Sequence, residues 1–188
     1  MRDDERYENA RRLLNHGQYV EALKIYRSLA QAGDPQCQVV VGWMYFEGRG
    51  IPKDIDKALD WFGKAASLGA KEGAYYSGMA LLVLGRHEEA ISRFQAAARQ
   101  EYGPALLWLG ISYVRGLGVT ADFGKGVNYL RRAENTGNRL AKRELALLMA
   151  KGKFGISKIP VGLVLLPFSI VTAIVDVILK GHSERLVG

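Results

Sequence analysis

The sequence predicts an all-α fold, a solenoid of stacked helical hairpins, and two sets of small residues predict it. The first set recurs at intervals of 32, 36, 32 and 36 residues and consists of Ala10, Gly42, Gly78, Gly110 and Ala146. The second set keeps intervals of 36, 32 and 36 residues and consists of Ala22, Ala58, Ala90 and Gly126. Periods of this size are typical of helical pairs that bury their apolar faces only against neighbouring pairs. We therefore place the first set on the first helix of each pair and the second set on the second helix.

Apolar residues at helical spacing around these marks predict nine helices, and no stretch supports a strand. Their approximate bounds are 3–15, 18–32, 35–47, 54–68, 71–84, 87–100, 103–115, 122–136 and 138–151. Gly42 shows why a small residue recurs on the first helix. Because glycine has no Cβ, the second helix of the pair can approach closely at this point.

The turn between the two helices of a pair is longer in the second and fourth pairs. The long turns span 47–54 and 115–122, and each contains two glycines and ends on an aspartate. Glycines commonly end helices in a left-handed conformation. Asp54 and Asp122 stand where the next helix needs an N-cap.

The long units share a pattern of residues that points to a known repeat. In the first long unit these residues are Val41, Gly42, Tyr45, Gly48, Gly50, Ile51, Asp54, Lys57, Ala58, Trp61, Ala65, Ala66 and Gly69. In the second they are Leu109, Gly110, Tyr113, Gly116, Gly118, Val119, Asp122, Lys125, Tyr129, Ala133 and Gly137, with Gly126 in place of an expected alanine. With these residues the long units resemble Sel-one-like repeats. The short units, with Glu21, Ala22 and Tyr26 and with Glu89, Ala90 and Phe94, resemble tetratricopeptide repeats.

The resemblance covers about residues 7–150 and implies a right-handed superhelical solenoid, which we assign to residues 1–155. It also implies a binding role, usually that of an adaptor. It brings no catalytic residues and no cofactor.

In such solenoids the first helices line the concave face. The positions three residues before, one after and four after the small residue lie on one side of each first helix. In the three central units these positions, which we call the predicted groove, are Val39, Trp43, Phe46, Tyr75, Met79, Leu82, Leu107, Ile111 and Val114. A soluble monomer rarely exposes so large an apolar surface, so we expect a partner or the chain's own tail to cover it. The alternative is that the positions are shifted by one and several of the nine belong to the core.

The tail, residues 156–188, differs in composition from the repeats. Between residues 159 and 179 the distinctly polar residues are Ser169, Thr172 and Asp176. Pro167 interrupts this apolar stretch, and a helix from 167 to 180 would measure about 21 Å, which is too short to cross a membrane. Two alternatives stay open, namely peripheral attachment to a membrane and packing of the tail on the repeats.

The net charge of +7 is local, because the stretch 125–158 has nine bases against two acids. Its predicted basic patch consists of Arg131, Arg132, Arg139, Lys142, Arg143, Lys151, Lys153 and Lys158. Such a patch could face anionic headgroups or solvent. Nucleic acid is the less favoured partner, since Tyr129 and Phe154 are the only aromatic residues available for base stacking there.

Nothing in the sequence predicts an active site or a metal site. His16, His87 and His182 are few and scattered, and His16 and His87 fall in equivalent turns. The single cysteine, Cys37, is expected to be a buried, inert thiol. The two Gly-X-Gly segments follow helices rather than strands, which indicates turns rather than phosphate loops. Of the tryptophans, we expect Trp61 and Trp108 in the core and Trp43 at a contact surface.

We therefore predict a non-enzymatic scaffold that binds a helix or peptide in the predicted groove. We expect it in the cytoplasm, with tethering to the inner membrane surface through the tail as one alternative. A second alternative is a self-closed protein whose tail occupies the groove and regulates access. The partner and the oligomeric state are not predicted by the sequence.

Overall fold

A computed structural model describes residues 3–150, and most of them are helical. The helices are α1 (Asp3–Asn15), α2 (Tyr19–Gln31), α3 (Pro35–Glu47), α4 (Ile55–Ser67), α5 (Lys71–Val83), α6 (His87–Ala98), α7 (Gly103–Arg115), α8 (Phe123–Asn135) and α9 (Arg139–Ala150). Every predicted helix is present with bounds within two residues of those expected, and residues 3–150 contain no strand. The predicted tail and the predicted boundary at residue 155 lie outside the described residues.

The described helices belong to two units. Helices α1 to α8 lie in the unit that ends at Asn138, and α9 lies in the unit that begins at Arg139. The first unit consists of four successive antiparallel pairs, α1–α2, α3–α4, α5–α6 and α7–α8, each packed on the next. The all-α solenoid predicted from the spacing is therefore confirmed.

Within a pair, a large side chain of the second helix lies against the glycine of the first helix. A Cβ built on Gly42 would lie 2.6 Å from the ring of Phe62, and one on Gly78 would lie 2.5 Å from the ring of Phe94. In the fourth pair, Leu130 takes the same place against Gly110 at 2.6 Å. Each of these side chains comes four residues after the small residue of its own helix. The small residue and the large side chain therefore lie on the same face of the second helix, which is the face that packs on the first helix.

Packing explains why Gly126 stands where the repeat pattern has an alanine. A Cβ on Gly126 would lie 2.6 Å from Cγ2 of Val114 and 2.9 Å from the carbonyl oxygen of Gly110. Since Gly110 and Gly126 face each other, α7 and α8 meet glycine to glycine, whereas α3 meets α4 through Gly42 and Ala58.

The long turns have the predicted local structure. Gly48 and Gly116 end α3 and α7 with φ angles of 77° and 72°, in the left-handed region. The Oδ1 atom of Asp54 accepts the backbone N–H of Lys57 at 3.0 Å. Asp122 accepts that of Lys125 at 2.9 Å, so both aspartates are N-caps as expected.

The long turns also contact the preceding short unit, which the spacing did not predict. A Cβ on Gly50 would lie 2.7 Å from the backbone of Tyr19, at the start of α2. A Cβ on Gly118 would lie 2.8 Å from the backbone of His87, at the start of α6. The additional residues of a long turn therefore carry its second glycine onto the amino terminus of the preceding unit's second helix.

A residue in the left-handed conformation also stands after each second helix, at the end of the unit. Gly33, Gly69 and Gly137 follow α2, α4 and α8 with φ between 84° and 101°, whereas Glu101 occupies the equivalent place after α6 with φ 51°. A left-handed conformation costs a non-glycine residue about 1–2 kcal/mol. Arg132 of α8 contacts this residue, since its Nη2 donates to Oε1 of Glu101 at 2.6 Å.

Cys37 lies in the core, as the sequence predicts. Its side chain is fully buried, and its backbone N–H donates to Oδ1 of the N-cap Asp34 at 2.7 Å. Burial, together with the nearby Asp34 carboxylate, raises the pKa of the Cys37 thiol to about 12. The thiolate, which is the reactive form, is therefore scarce at neutral pH.

The glycine contacts predict opposite effects for two Gly→Ala substitutions within helices. Gly126→Ala should destabilise the protein by about 1–3 kcal/mol, because its Cβ would meet backbone atoms that cannot move aside. Gly63→Ala should stabilise it by about 0.5–1 kcal/mol, because a Cβ on Gly63 would meet nothing within 4 Å and alanine is the better helix former. Chemical denaturation of both variants measures the two free energies. Equal changes in the same direction would contradict the packing described here.

The burial of Cys37 predicts an unreactive thiol. The native protein at pH 8 should react with Ellman's reagent at a small fraction of the rate seen after unfolding in guanidinium. The raised pKa leaves little thiolate, and burial blocks the reagent. Rapid stoichiometric labelling of the native protein would show that Cys37 is accessible.

Candidate interaction surface

The predicted groove lies on α3, α5 and α7. Eight of its nine residues are half-buried, so their side chains are packed and still reach the surface. Leu107 differs, since it is 7% exposed and belongs to the hydrophobic core. On α7, Ile111 and Val114 are therefore the two residues of the predicted groove that still reach the surface.

A series of aromatic rings, in which neighbours lie 5.1–6.5 Å apart between centroids, supports this surface. It consists of Phe46, Phe62, Tyr76, Tyr75, Phe94, Trp108 and Tyr102. Tyr75 is its centre, with contacts to Tyr76, Phe94 and Tyr102, and burial raises the pKa of Tyr75. These separations are typical of favourable ring pairs. The series therefore joins the predicted groove, through Phe46 and Tyr75, to the core residues Phe62 and Phe94.

The three tryptophans are all half-buried. Trp108 stacks on the core residue Phe94 with 8° between the ring planes, and Trp61 packs on the core and carries the Lys64 ammonium 4.3 Å from its ring. Trp61 and Trp108 therefore contact the core, as predicted, but neither side chain is fully buried in it. Trp43 is packed on the core as well.

Arg49 joins two aromatic rings beside the predicted groove. Its guanidinium lies 5.2 Å from the ring centroid of Trp43 and 5.3 Å from that of Tyr19, and its Nη1 donates to the Tyr19 hydroxyl at 2.6 Å. The sequence did not predict this contact. Its only signal was an arginine between the two turn glycines, where the other long turn has Leu117.

A cavity of about 240 Å³, which the sequence did not predict, opens among α1, α3 and α5. Its lining residues are Tyr7, Gln36, Val39, Val40, Ala70 and Glu72. Tyr7 and Val39 both lie three residues before the small residue of their helix. Gln36 and Glu72 lie six residues before it, one turn closer to the helix start. The predicted groove thus continues toward the amino termini of the first helices.

An acidic cavity of about 260 Å³ adjoins the first and shares Tyr7 and Gln36 with it. Its other lining residues are Asp3, Asp4, Glu8, Leu29 and Asp34. Among residues 3–150, no lysine or arginine lines either cavity. Tyr7, which stands between them, is held by an edge-to-face contact with Tyr26 at 5.8 Å, and burial raises the pKa of its hydroxyl.

The predicted basic patch is only partly described. Arg131 is exposed on α8, and Arg139, Lys142 and Arg143 are exposed on α9, while Lys151, Lys153 and Lys158 lie outside the described residues. Arg132 is engaged in packing, because it bonds to Glu101 and its guanidinium lies 5.3 Å from the ring centroid of Tyr129. Its contribution to a binding patch is therefore small.

Residues 3–150 contain no group of three or more side chains that could hold a metal ion. His16 and His87 are exposed, and Nδ1 of His16 lies 2.9 Å from the carbonyl oxygen of Arg12. Over the same residues, no helix combines the length and hydrophobicity needed to cross a membrane.

Comparison with known proteins identifies the repeat. The Sel1 repeat family model matches residues 35–69 and 103–138, which are the two long units with their closing turns. A putative sel1-like repeat-containing protein, L21, of Acanthamoeba polyphaga mimivirus is 26% identical over 137 residues. That alignment covers 72% of this chain and 25% of L21, so the chain spans about a quarter of this relative.

Two solved structures are similar in fold as well as in sequence. The protein c5321, a protective antigen of uropathogenic Escherichia coli with an SLR fold, superimposes with a TM-score of 0.72 and 29% identity. That match covers 80% of this chain and 34% of c5321. A Sel1 repeat protein of Oxalobacter formigenes superimposes with a TM-score of 0.70 and 28% identity, over 78% of this chain and 61% of the other. Two stretches of this chain therefore match the Sel1 repeat, and its fold is similar to that of these two solved repeat proteins.

Proposed function

We propose that this protein is a non-enzymatic scaffold that binds a helix or peptide of a partner protein along the predicted groove. Sel1 repeats generally mediate protein–protein interaction, and the family is typically not enzymatic. The observation that carries the proposal is the row of half-buried apolar side chains on α3, α5 and α7, which continues across three units.

The chemistry of the row favours a helix or an apolar peptide as the partner. Its members offer apolar and aromatic surface, and an amphipathic helix laid in such a groove presents apolar anchors at matching intervals. The aromatic series, which includes Phe46 and Tyr75 of this row, favours binding. Side chains held by such contacts lose little conformational freedom when a partner docks.

The proposed function has two versions that involve the tail. Tethering would combine its apolar stretch, residues 159–179, with the basic patch at the inner membrane surface, while the protein itself remains cytoplasmic. In the self-closed version the same stretch occupies the predicted groove until a partner displaces it. The proposal that a protein partner binds the groove is common to both.

Substitutions in the predicted groove test the proposal. In affinity purification from cell lysate with quantitative mass spectrometry, Trp43→Ala/Met79→Ala should lose specific partners by at least about tenfold, because truncating two apolar anchors at the centre of an interface removes much of its binding energy. The matched control is Val20→Ala/Leu68→Ala, which removes two apolar side chains, 49% and 56% exposed, from α2 and from the end of α4. Circular dichroism melting verifies that both variants fold.

Partners retained equally by the groove variant and the control variant would contradict this assignment. So would partners lost equally from both, since the interaction would then depend on exposed apolar residues in general.

A further inference from the structure

We propose that the amino-terminal end of the predicted groove, at the two adjoining cavities, binds a peptide segment in which a lysine or arginine neighbours a large aliphatic residue. This inference rests on the proposed function and specifies the chemistry of the partner. The first cavity, of about 240 Å³, receives the aliphatic side chain, and the carboxylates around both cavities receive the cation.

The size and lining of the apolar cavity favour a side chain as its occupant. Its volume of about 240 Å³ is below the roughly 300–1,000 Å³ typical of small-molecule sites. Val39, Val40 and Ala70 give it an aliphatic lining, and Tyr7 lines both this cavity and the acidic one. One aliphatic side chain entering from a bound peptide fits this shape and chemistry.

The carboxylates around the cavities are incompletely neutralised. Asp3 pairs with Arg6 at 3.1 Å and Glu8 with Arg11 at 3.3 Å. Asp34 uses one oxygen to cap α3, which leaves the other oxygen available to a cation. Among residues 3–150, Asp4 and Glu72 take part in no ion pair, and each lies six residues before the small residue of its helix, as Gln36 does on α3.

These polar positions form a line across α1, α3 and α5 that runs beside the apolar line of Tyr7 and Val39. A chain crossing the first helices would therefore meet apolar and acidic surface side by side. The carboxylates are spread over three helices, and residues 3–150 hold no cluster of ligands suited to a metal ion. A negative surface also repels nucleic acid, which leaves a basic peptide as the occupant that matches both surfaces.

Asp4 and Glu72 have a second role that the test must separate from binding. Both lie in the first turn of their helices, where a carboxylate stabilises the helix through its dipole. Their neutralisation therefore lowers stability slightly even without a ligand, so stability and affinity are measured on the same variants.

Two labelled peptides of about 12 residues, one with repeated Leu-Lys pairs and one with each lysine replaced by glutamate, provide the probes. Fluorescence anisotropy at low salt should show the lysine peptide binding at least about tenfold more tightly. This direction is opposite to the one that the net charge of +7 would produce, so a general electrostatic attraction cannot explain it. Salt should reduce the preference.

Asp4→Asn/Glu72→Gln should weaken binding of the lysine peptide by at least about threefold, and Val39→Ala should weaken both peptides. The control is Glu21→Gln/Glu88→Gln, which changes the net charge equally and removes first-turn acids from the second helices α2 and α6. This control should leave the affinity unchanged.

Equal affinity for the two peptides, no binding of either, or equal weakening by the two charge variants would overturn the inference. Self-association of the protein that Asp4→Asn/Glu72→Gln abolishes would also overturn it, because a second copy would then be the occupant. If Trp43→Ala/Met79→Ala loses its partners while the peptides show no charge preference, the proposed function stands and this inference fails. If the charge preference is found while those partners persist, binding of a basic peptide at the two cavities stands, and the partners found in lysate do not use the centre of the predicted groove.

Discussion

The close approach of the two helices within each pair is the constraint on which the rest of the structure depends. The first helix contributes a residue without a bulky side chain, and the second contributes a large apolar one that fills the space, as Phe62 does at Gly42. Interiors packed at this density tolerate little change in volume. Where the second helix carries Gly126 rather than alanine, the two backbones meet directly, and Leu130 takes the place of the aromatic ring.

The alternation of long and short units follows from how the turns connect neighbours. Each long turn reaches the start of the preceding unit's second helix through a glycine whose Cβ would collide with that backbone. Arg49 strengthens one of these connections with its contacts to Tyr19 and Trp43. Helices α3, α5 and α7 also pack on the second helices of the preceding units, and eight residues of the predicted groove remain half-buried on them.

The sequence predicted the helices well because their ends depend on local chemistry. Glycines in left-handed conformations and the caps Asp54 and Asp122 act within a few residues of the chain, so spacing alone locates them. The sequence did not predict contacts between units, such as the ion pair of Glu101 with Arg132, because these contacts depend on how each helical pair packs on the next. The burial of Leu107 and the acidic cavity beside Tyr7 likewise had to come from the structure.

The most direct test of the packing is a nuclear Overhauser experiment on the glycine α-protons. Those of Gly42 and Gly78 should give strong cross-peaks to the ring protons of Phe62 and Phe94, whereas those of Gly110 should give cross-peaks to the methyl groups of Leu130. This pattern would show that each pair is closed by the contact described. Absence of these cross-peaks in an otherwise helical spectrum would contradict the account, because the pairs would then be held together in another way.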